Sequence, residues 1–293
     1  MMQKAGENIN IQSASQKLKS SIKHPVSFVF FVLIAISVIF TVVSLGFLIG
    51  YILINGIPNL TPKLFAWHYT TENASMLPAL INTIWMTILA LVIAIPFGIG
   101  AAIYMVEYAK KGNKIVEIVR ITAETLTGIP SIVYGLFGML FFVTTCKMGL
   151  SLLAGALTLS IMVLPVIMRT TEEALLAVPD SFREGSIGLG AGKLRTVFRI
   201  VLPPAIPGIS SGIILAMGRI VGETAALIYT AGTVAEMPKN IFSSTRTLAV
   251  HMYSLSSEGL YMDQAYATAV VLLVIVMLIN LGSTFVAKKI NKY

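Results

Sequence analysis

Two charged residues inside an apolar segment are the side chains of this chain most able to bind a ligand. Arg219 and Glu223 lie in the middle of a segment that is predicted to cross a membrane, where a charge costs on the order of 2.5–3.5 kcal/mol. Their four-residue spacing would place both on one face of a helix. An arginine suits phosphate because its planar fork makes paired, charge-assisted hydrogen bonds. The pattern predicts either an anion site that Glu223 orients or gates, or a structural pair that neutralises itself.

Two further charges border the same predicted region. Glu124 shares a helical face with small residues of the predicted third span, and Pro130 interrupts that helix. Such a face either packs closely or lines a cavity, so we expect it to contribute to the same pathway. Arg169 ends the predicted fourth span, where it serves as a topology anchor or as the exit of an anion path. Glu172 and Glu173, which follow it, are predicted to be solvated.

A polar segment between the fourth and fifth predicted spans has the features of a docking loop. Ser181 and Glu184 are spaced as a capping box at the start of a short helix, and the glycines around Gly190 would end that helix in a tight turn. A second helix is predicted over 193–201, and prolines would then break the chain before the fifth span. Small residues would let a partner approach closely; the alternative is an amphipathic helix on the lipid headgroups. The candidate docking residues are Ser181, Glu184, Gly185, Ser186, Gly190, Leu202 and Pro203.

The composition places these residues in a membrane protein. The chain is 56% hydrophobic and 12% charged, whereas an ordinary soluble domain is about 25% charged. An all-α, polytopic membrane fold with six transmembrane helices is predicted. We predict a tail at 1–25, a first transmembrane helix at 26–54, a core of five transmembrane helices at 79–287 with its loop at 170–206, and a tail at 288–293. The six predicted spans lie near 26–54, 79–106, 121–145, 149–168, 207–232 and 264–287.

The distribution of Lys and Arg predicts the orientation. With both termini in the cytoplasm, 16 of the 21 Lys and Arg residues lie on the inner side and four on the outer side, as the positive-inside rule requires. The net charge of +8 is thus explained by topology, and nucleic acid is not needed as a partner. We therefore expect the membrane lipid to be the main surroundings of the chain.

Several kinds of chemistry are disfavoured by the residues present. One cysteine and three histidines outside the predicted spans give no metal-ligand pattern. The pair Gly192–Lys193 lacks the other residues of a phosphate-binding P-loop, so no ATP site is predicted in this chain. A membrane enzyme acting on lipid phosphates would need a nucleophile or a metal cluster, and no His, Cys or paired carboxylates converge here.

Four strings of residues together resemble a known family. Glu184-Gly185-Ser186, then Gly190 and Ile200–Pro203, is similar to the cytoplasmic coupling loop of importer-type ABC permeases, with Gly185 and Ser186 where that family has two alanines. The resemblance becomes more specific with three further strings, and it covers roughly residues 26–290. The chain then looks like an A-type permease subunit of the phosphate ABC importers. These strings are 128–135 (GIPSIVYG), 169–175 (RTTEEAL) and 219–225 (RIVGETA).

The resemblance implies a transport subunit rather than an enzyme, in a bacterial or archaeal inner (plasma) membrane. It implies a heterodimer with a C-type permease, two cytoplasmic ATPase subunits that bind ATP, and a periplasmic or lipid-anchored phosphate-binding protein. Phosphate would cross by alternating access, with no cofactor in this chain. Arg169, Arg219 and Glu223 match the family's membrane charges in residue type, and we add Glu124 to this path. The alternatives are the C-type partner subunit and a permease for another oxyanion, such as molybdate or sulfate.

Overall fold

A computed structural model describes residues 25–110 and 112–290 of the chain. All regular secondary structure in these residues is helical, which confirms the predicted all-α fold. The predicted tail at 1–25 lies outside the described residues except for Pro25, as do the last three residues of the predicted tail at 288–293.

Eleven α-helices are described in these residues, and three of them continue into a wider π turn. Five helices, or six if one bent pair is a single span, are long and apolar enough to cross a membrane. The helices are α1 (Pro25–Gly56), α2 (Leu77–Ile103, then a π turn Tyr104–Tyr108), α3 (Lys114–Thr127), α4 (Ser131–Gly138, then a π turn Met139–Thr145), α5 (Leu152–Leu176), α6 (Asp180–Gly188), α7 (Lys193–Thr196, then a π turn Val197–Val201), α8 (Leu202–Val221), α9 (Ala225–Thr230), α10 (Leu248–Glu258) and α11 (Met262–Ile290).

The helix α1 forms a unit of its own up to Ile54, and the chain from Asn55 onward forms a second. The sequence of α1 contains no charged residue over 32 positions, as a helix surrounded by lipid requires. The hydroxyls of Ser37 and Thr41 donate to the carbonyl oxygens of Leu33 and Ser37, at 2.9 and 2.8 Å. These two hydroxyls of α1 are thus satisfied within the helix.

Three helices, α2, α5 and α8, form the centre of the second unit. Their small residues let them approach closely: a Cβ on Gly212 of α8 would overlap the Thr170 hydroxyl of α5, and one on Gly208 would lie 2.6 Å from the Cβ of Ala174. The glycines of α8 thus allow close packing of this helix against α5. The largest buried cluster joins these helices to α4, α9 and α10 and includes Met86, Tyr134, Leu159, Met162, Ile167, Ile220, Leu227 and Val250.

The predicted third span is not a single helix. Between α3 and α4 the axis bends by 105°, because Pro130 cannot continue the hydrogen-bond ladder of α3. The hydroxyl of Tyr134 donates to the carbonyl oxygen of Leu126 at 2.8 Å and bridges the bend. The interruption at Pro130 is as predicted, but a bend of this size leaves Glu124 on a different helix from the small residues beyond the proline.

The prolines before the predicted fifth span do not break the chain. Residues from Lys193 to Val221 form one continuous helical segment, in which the π turn Val197–Val201 precedes Pro203 and Pro204. A π turn bonds five residues apart and accommodates prolines whose missing N–H would leave a gap in an α-helical ladder. The prediction of a break was wrong for this reason. The helix instead ends at Val221, so the predicted span 207–232 is divided between α8 and α9.

The long connection after α9 contains a helix, α10, that the sequence did not indicate. This connection is also tied to the start of α5 by main-chain hydrogen bonds. The amides of Leu152 and Leu153 donate to the carbonyl oxygens of Ser243 and Ile241, at 3.0 and 2.9 Å, and the amide of Ser151 donates to Thr230 at 3.0 Å. These bonds satisfy N–H groups that the first turn of a helix leaves free.

Candidate functional site

Arg219 lies in the last turn of α8, and Glu223 lies in the break that follows it. A positive side chain is favoured there by the partial negative charge at the C-terminal end of a helix. Arg219 is half-buried and makes no hydrogen bond or ion pair within the described residues. Its guanidinium therefore remains open to a ligand in this conformation.

Glu223 does not pair with Arg219, so the predicted pair on one helix face is wrong. Gly222 and Thr224 flank it in a non-helical break between α8 and α9. Its side chain is buried, and its Oε1 accepts a hydrogen bond from the backbone amide of Ala226 at 3.0 Å. A carboxylate at the start of a helix satisfies a free N–H group and favours the helix dipole. Glu223 thus stabilises the start of α9 and holds a negative charge next to the Arg219 turn.

The structure brings Arg169 and Glu124 together at a second place. Arg169 Nη1 lies 3.8 Å from Glu124 Oε1, and Arg169 Nε donates to Glu173 Oε1 at 3.1 Å. All three side chains are more than half exposed. They line a cavity of about 340 Å³ between α3 and α5, together with Arg120 and Glu172. Arg169 is thus shared by two carboxylates, and no hydrogen bond or ion pair links this cavity to Arg219 in the part of the chain that is described.

The role predicted for Glu172 is wrong. Its side chain is only 11% exposed and forms an ion pair of 2.5 Å with Arg120 of α3. The reason is tertiary packing: α3 lies against α5, and this contact brings Arg120 to Glu172. The sequence placed Glu172 next to Arg169, but the partner 52 residues earlier could not be inferred from spacing. With Arg120 included, two arginines and three glutamates line the cavity.

The predicted docking loop is a helix, a turn and a second helix, with one correction at its start. Helix α6 begins at Asp180 after Pro179, and Ser181 makes no capping bond there, so the predicted capping box is wrong. The end is as predicted: Gly190 has a φ of +82°, its amide donates to Ile187 at 2.9 Å, and the amide of Ala191 donates to Ser186 at 3.1 Å. This is the Schellman arrangement, which glycine favours because it has no Cβ.

Arg183, in α6, joins this loop to two helices of the second unit. Its Nε and Nη2 donate to Glu107 Oε1 of the π turn after α2, at 3.0 and 2.8 Å. Its Nη2 also donates to the carbonyl oxygen of Leu175 at 2.8 Å, and its Nη1 donates to Val178 at 2.7 Å and to Asp180 at 3.2 Å. All five N–H groups of a guanidinium are thereby satisfied. Arg183 and Glu107 were not among the predicted site residues, because only a charge near the end of a predicted segment marked each of them in the sequence.

The other side of the loop is bonded to the helix that follows. The hydroxyls of Ser186 and Thr196 share a hydrogen bond of 2.8 Å, and both residues are buried. Glu184 and Gly185 face solvent, and no atom lies within 4 Å of a Cβ placed on Gly185. Four large apolar side chains are also exposed on this loop. They are Phe182, Ile187, Leu189 and Leu194, and the exposed fraction of Leu189 is 91%. The remaining predicted docking residues, Leu202 and Pro203, lie in the first turn of α8.

Residues 94–292 match the family described as "Binding-protein-dependent transport system inner membrane component". The chain belongs to this family. It is therefore a multi-pass membrane permease subunit of an ABC importer and not an enzyme, and the ATPase of such an importer is a separate subunit.

Individual relatives are consistent with this assignment. The chain is 35% identical over 268 residues to the probable ABC transporter permease protein YqgI of Bacillus subtilis, covering 84% of this chain and 89% of that protein. It is 35% identical to the phosphate transport system permease protein PstA 1 of Mycobacterium tuberculosis, over 71% of this chain and 69% of that one. The identity to PstA of Xylella fastidiosa is 37%, over 68% and 69% of the two chains.

Solved structures share the fold. A bacterial alginate ABC transporter matches with a TM-score of 0.68 at 16% identity, covering 94% of this chain and 99% of that one. The MetNI methionine ABC transporter, in an inward-facing conformation, matches with a TM-score of 0.57 at 21% identity, over 73% and 94%. These likenesses support the permease fold.

Proposed function

We propose that this chain is the A-type permease subunit of a phosphate importer and moves inorganic phosphate by alternating access. The similarity to PstA proteins over about 70% of the chain supports the choice of substrate. The observation that carries the proposal is the half-buried Arg219, which has no partner within the described residues. A guanidinium in this setting is suited to a phosphate group in transit.

In this proposal, the charges of the site act in order along the path. Arg219 binds the anion at the break between α8 and α9, where the negative charge of Glu223 prevents it from being held too tightly. Arg169 then receives the anion at the cavity that Glu124, Glu172 and Glu173 line. Because two carboxylates already contact Arg169, phosphate must exchange with them, which makes this cavity a barrier in the present conformation.

The partners in the proposal follow from the family. A C-type permease completes the heterodimer, a periplasmic or lipid-anchored protein delivers phosphate, and two ATPases bind ATP on the cytoplasmic side. The loop 180–190 would dock on an ATPase, because it exposes Phe182, Ile187 and Leu189 beside Glu184. Exposed apolar groups of this size are typical of a binding surface. Both termini would lie in the cytoplasm.

The test is uptake of radiolabelled phosphate by cells or vesicles that contain the whole transporter. We expect Arg219→Gln to abolish uptake while the membrane level, measured by immunoblot, stays normal. Arg219→Lys should retain part of the activity. Lys239→Gln is the matched control, since Lys239 is exposed and makes no hydrogen bond or ion pair among the described residues. Normal uptake by Arg219→Gln would contradict the proposal. If sulfate or molybdate competes more strongly than unlabelled phosphate, the transported substrate is that oxyanion and not phosphate.

A further inference from the structure

A group of buried polar side chains lies near the start of α2, at the end of this helix that is remote from the docking loop 180–190. It consists of Asn82 in α2, Arg246 and Thr247 just before α10, and His251 one turn into α10; we name it the Arg246 cluster. Seven buried side-chain nitrogen and oxygen atoms lack a hydrogen-bond partner in the described part of the chain, and six of them belong to these four residues. Since buried polar groups are normally bonded, such a concentration points to a missing binding partner.

Main-chain contacts hold the cluster in place. The side-chain amide of Asn82 donates to the carbonyl oxygens of Glu236 and Arg246, at 3.2 and 3.4 Å. The amide of Leu248 donates to the hydroxyl of Thr83 at 2.8 Å. These bonds join α2 to the start of α10 but leave free the Asn82 Oδ1 and the Thr247 hydroxyl. The free atoms are thus a fixed feature of this joint.

The cluster carries a positive charge that no carboxylate of the described residues neutralises by an ion pair. Arg246 is 5% exposed, its Nε and Nη2 have no partner, and it forms no ion pair within the described residues. Burial, and then repulsion by Arg246, lowers the pKa of His251 to about 3, so the imidazole is neutral at physiological pH. The ring lies beside the backbone of Ala74, outside hydrogen-bond geometry. An isolated buried charge is strongly unfavourable, and an anion would relieve this.

A cavity lies next to the tyrosine ring that covers this charge. The Tyr69 ring lies over the guanidinium, with Arg246 Cζ 4.7 Å from the ring centroid, and it meets the His251 ring edge-on at 6.1 Å. Tyr69 also lines a cavity of about 200 Å³, together with Trp67, His68, Pro78, Glu236 and Met237. Because a water molecule occupies about 30 Å³, this cavity has room for a small oxyanion with some of its water. The Tyr69 ring thus separates the cavity from Arg246.

We propose that the Arg246 cluster is a second binding site for the oxyanion that the transporter carries, entered from this cavity when the Tyr69 ring turns aside. Arg246 supplies the charge and paired donors, and Thr247 and His251 supply further donors. Asn82 Oδ1 can only accept a hydrogen bond. Phosphate at neutral pH carries a P–OH group that satisfies this oxygen, whereas sulfate has no proton to offer. The choice of phosphate rests on the proposed function; the oxyanion class rests on the cluster itself.

The experiment is equilibrium dialysis of the complete purified transporter in nanodiscs with radiolabelled phosphate, without nucleotide or binding protein. An Arg219→Gln background removes the proposed path site. We expect Arg246→Met to weaken the remaining phosphate binding by about tenfold or more. Lys239→Met removes an exposed charge from the same connection and should change nothing. Asn82→Leu should reduce the preference for phosphate over sulfate in competition.

The outcomes separate this proposal from the proposed function. Equal phosphate binding by Arg246→Met and Lys239→Met, in transporter that assembles normally by size-exclusion chromatography, would overturn the second site and leave the uptake result untouched. If sulfate or molybdate binds instead, and does so only with Arg246 present, the site stands and phosphate is the wrong substrate. Arg246→Lys keeps the charge and should retain part of the binding, which covers the case in which the methionine variant fails to assemble.

Discussion

Two arginines lie at the two ends of α2, one partly buried and one buried, and they are satisfied in opposite ways. Arg183 uses all five N–H groups on Glu107, Asp180 and two carbonyl oxygens. Arg246 is more deeply buried, yet its Nε and Nη2 contact no acceptor. The first arginine fixes a joint between parts of this chain. The second has the properties of a group whose partner comes from outside the chain.

The contrast also separates two mechanical roles. Through Arg183 the loop 180–190 is bonded to the end of α2 and to the end of α5, and through Ser186 it is bonded to Thr196. A force applied to this loop therefore reaches three helices at once. At the Arg246 end, by contrast, Asn82 donates to the backbone carbonyl of Arg246 and the Thr83 hydroxyl accepts from the amide of Leu248, and the charged side chain is left free.

The largest effect is expected when the Arg183 joint is broken. Arg183→Gln leaves the Glu107 carboxylate, which is 7% exposed, without its ion pair, and breaking a buried pair costs about 3–5 kcal/mol. Thermal denaturation of the complete transporter should show this loss, and uptake should fall with it. Glu107→Gln in the same background should cost less than in the wild type, since the two act as one pair. Arg195 is exposed, so Arg195→Gln serves as the control. An equal loss of stability with Arg195→Gln would contradict the structural role of Arg183.

Arg246→Met tests the other side of the comparison. In oxyanion-free buffer we expect the stability to stay the same or to rise by about 1–4 kcal/mol, because an apolar side chain of similar length replaces an unbalanced buried charge. Added phosphate should raise the melting temperature of the wild type more than that of the variant. If Arg246→Met lowers stability in oxyanion-free buffer as Arg183→Gln does, Arg246 has an internal partner and the comparison fails.

The pH dependence of the free energy of unfolding gives a further test of the Arg246 cluster, through His251. Because the pKa of His251 is lowered to about 3 in the folded chain and is about 6.5 when unfolded, the unfolded state binds the proton first. Stability from this group is therefore complete above pH 6.5 and declines as the pH falls toward 3. At pH 5.5 the loss is about 1.4 kcal/mol. His251→Gln should remove this part of the pH profile in melting experiments, while His68→Gln, an exposed histidine, should leave it unchanged.

The smallest changes in stability are expected at two glycines of the docking loop, and the two changes should have opposite signs. Gly190→Ala places a Cβ at a φ of +82° and should cost about 1 kcal/mol. Gly185 lies within α6 with open space around it, so Gly185→Ala should stabilise the helix by about 1 kcal/mol. Melting temperatures that move in opposite directions would support the described turn. A loss of stability with Gly185→Ala would show that this face is covered in the transporter.

The first two membrane spans were predictable because long apolar segments admit few other structures. The predicted first and second spans lie within one helical segment each, and the glycine turn at Gly190 forms as expected. Predictions from residue spacing failed where the structure depends on contacts that the spacing does not show. Glu223 was assigned to Arg219 by spacing, but a free amide at Ala226 binds it instead. Prolines at 203 and 204 were predicted to break a helix that a π turn preserves.

The ion pairs were the least predictable part of the candidate sites. Arg120–Glu172 and Glu107–Arg183 join residues that are 52 and 76 positions apart, and no local pattern marks them. Helix α3 lies against α5, and the angle of the 105° bend at Pro130 depends on packing. The Arg246 cluster was hidden for a similar reason, because α10 has no amphipathic pattern in a connection that reads as polar.

The attachment of the connection 231–245 to the start of α5 has a consequence for substitution. Its bonds from Leu152 and Leu153 reach carbonyl oxygens of Ser243 and Ile241, and a carbonyl oxygen is the same whatever side chain its residue carries. The exposed side chain at 241 should therefore tolerate wide replacement in a saturation-mutagenesis library, whereas position 243 is more restricted because the Ser243 hydroxyl also bonds Asn240. Proline at 152 or 153 would delete a donor outright, so both positions should reject proline. Position 152 is restricted further, because the side chain of Leu152 is buried in the core. The connection is thus held to α5 by main-chain atoms. In a hydrogen-exchange experiment, the amides of Leu152 and Leu153 should therefore exchange slowly with solvent.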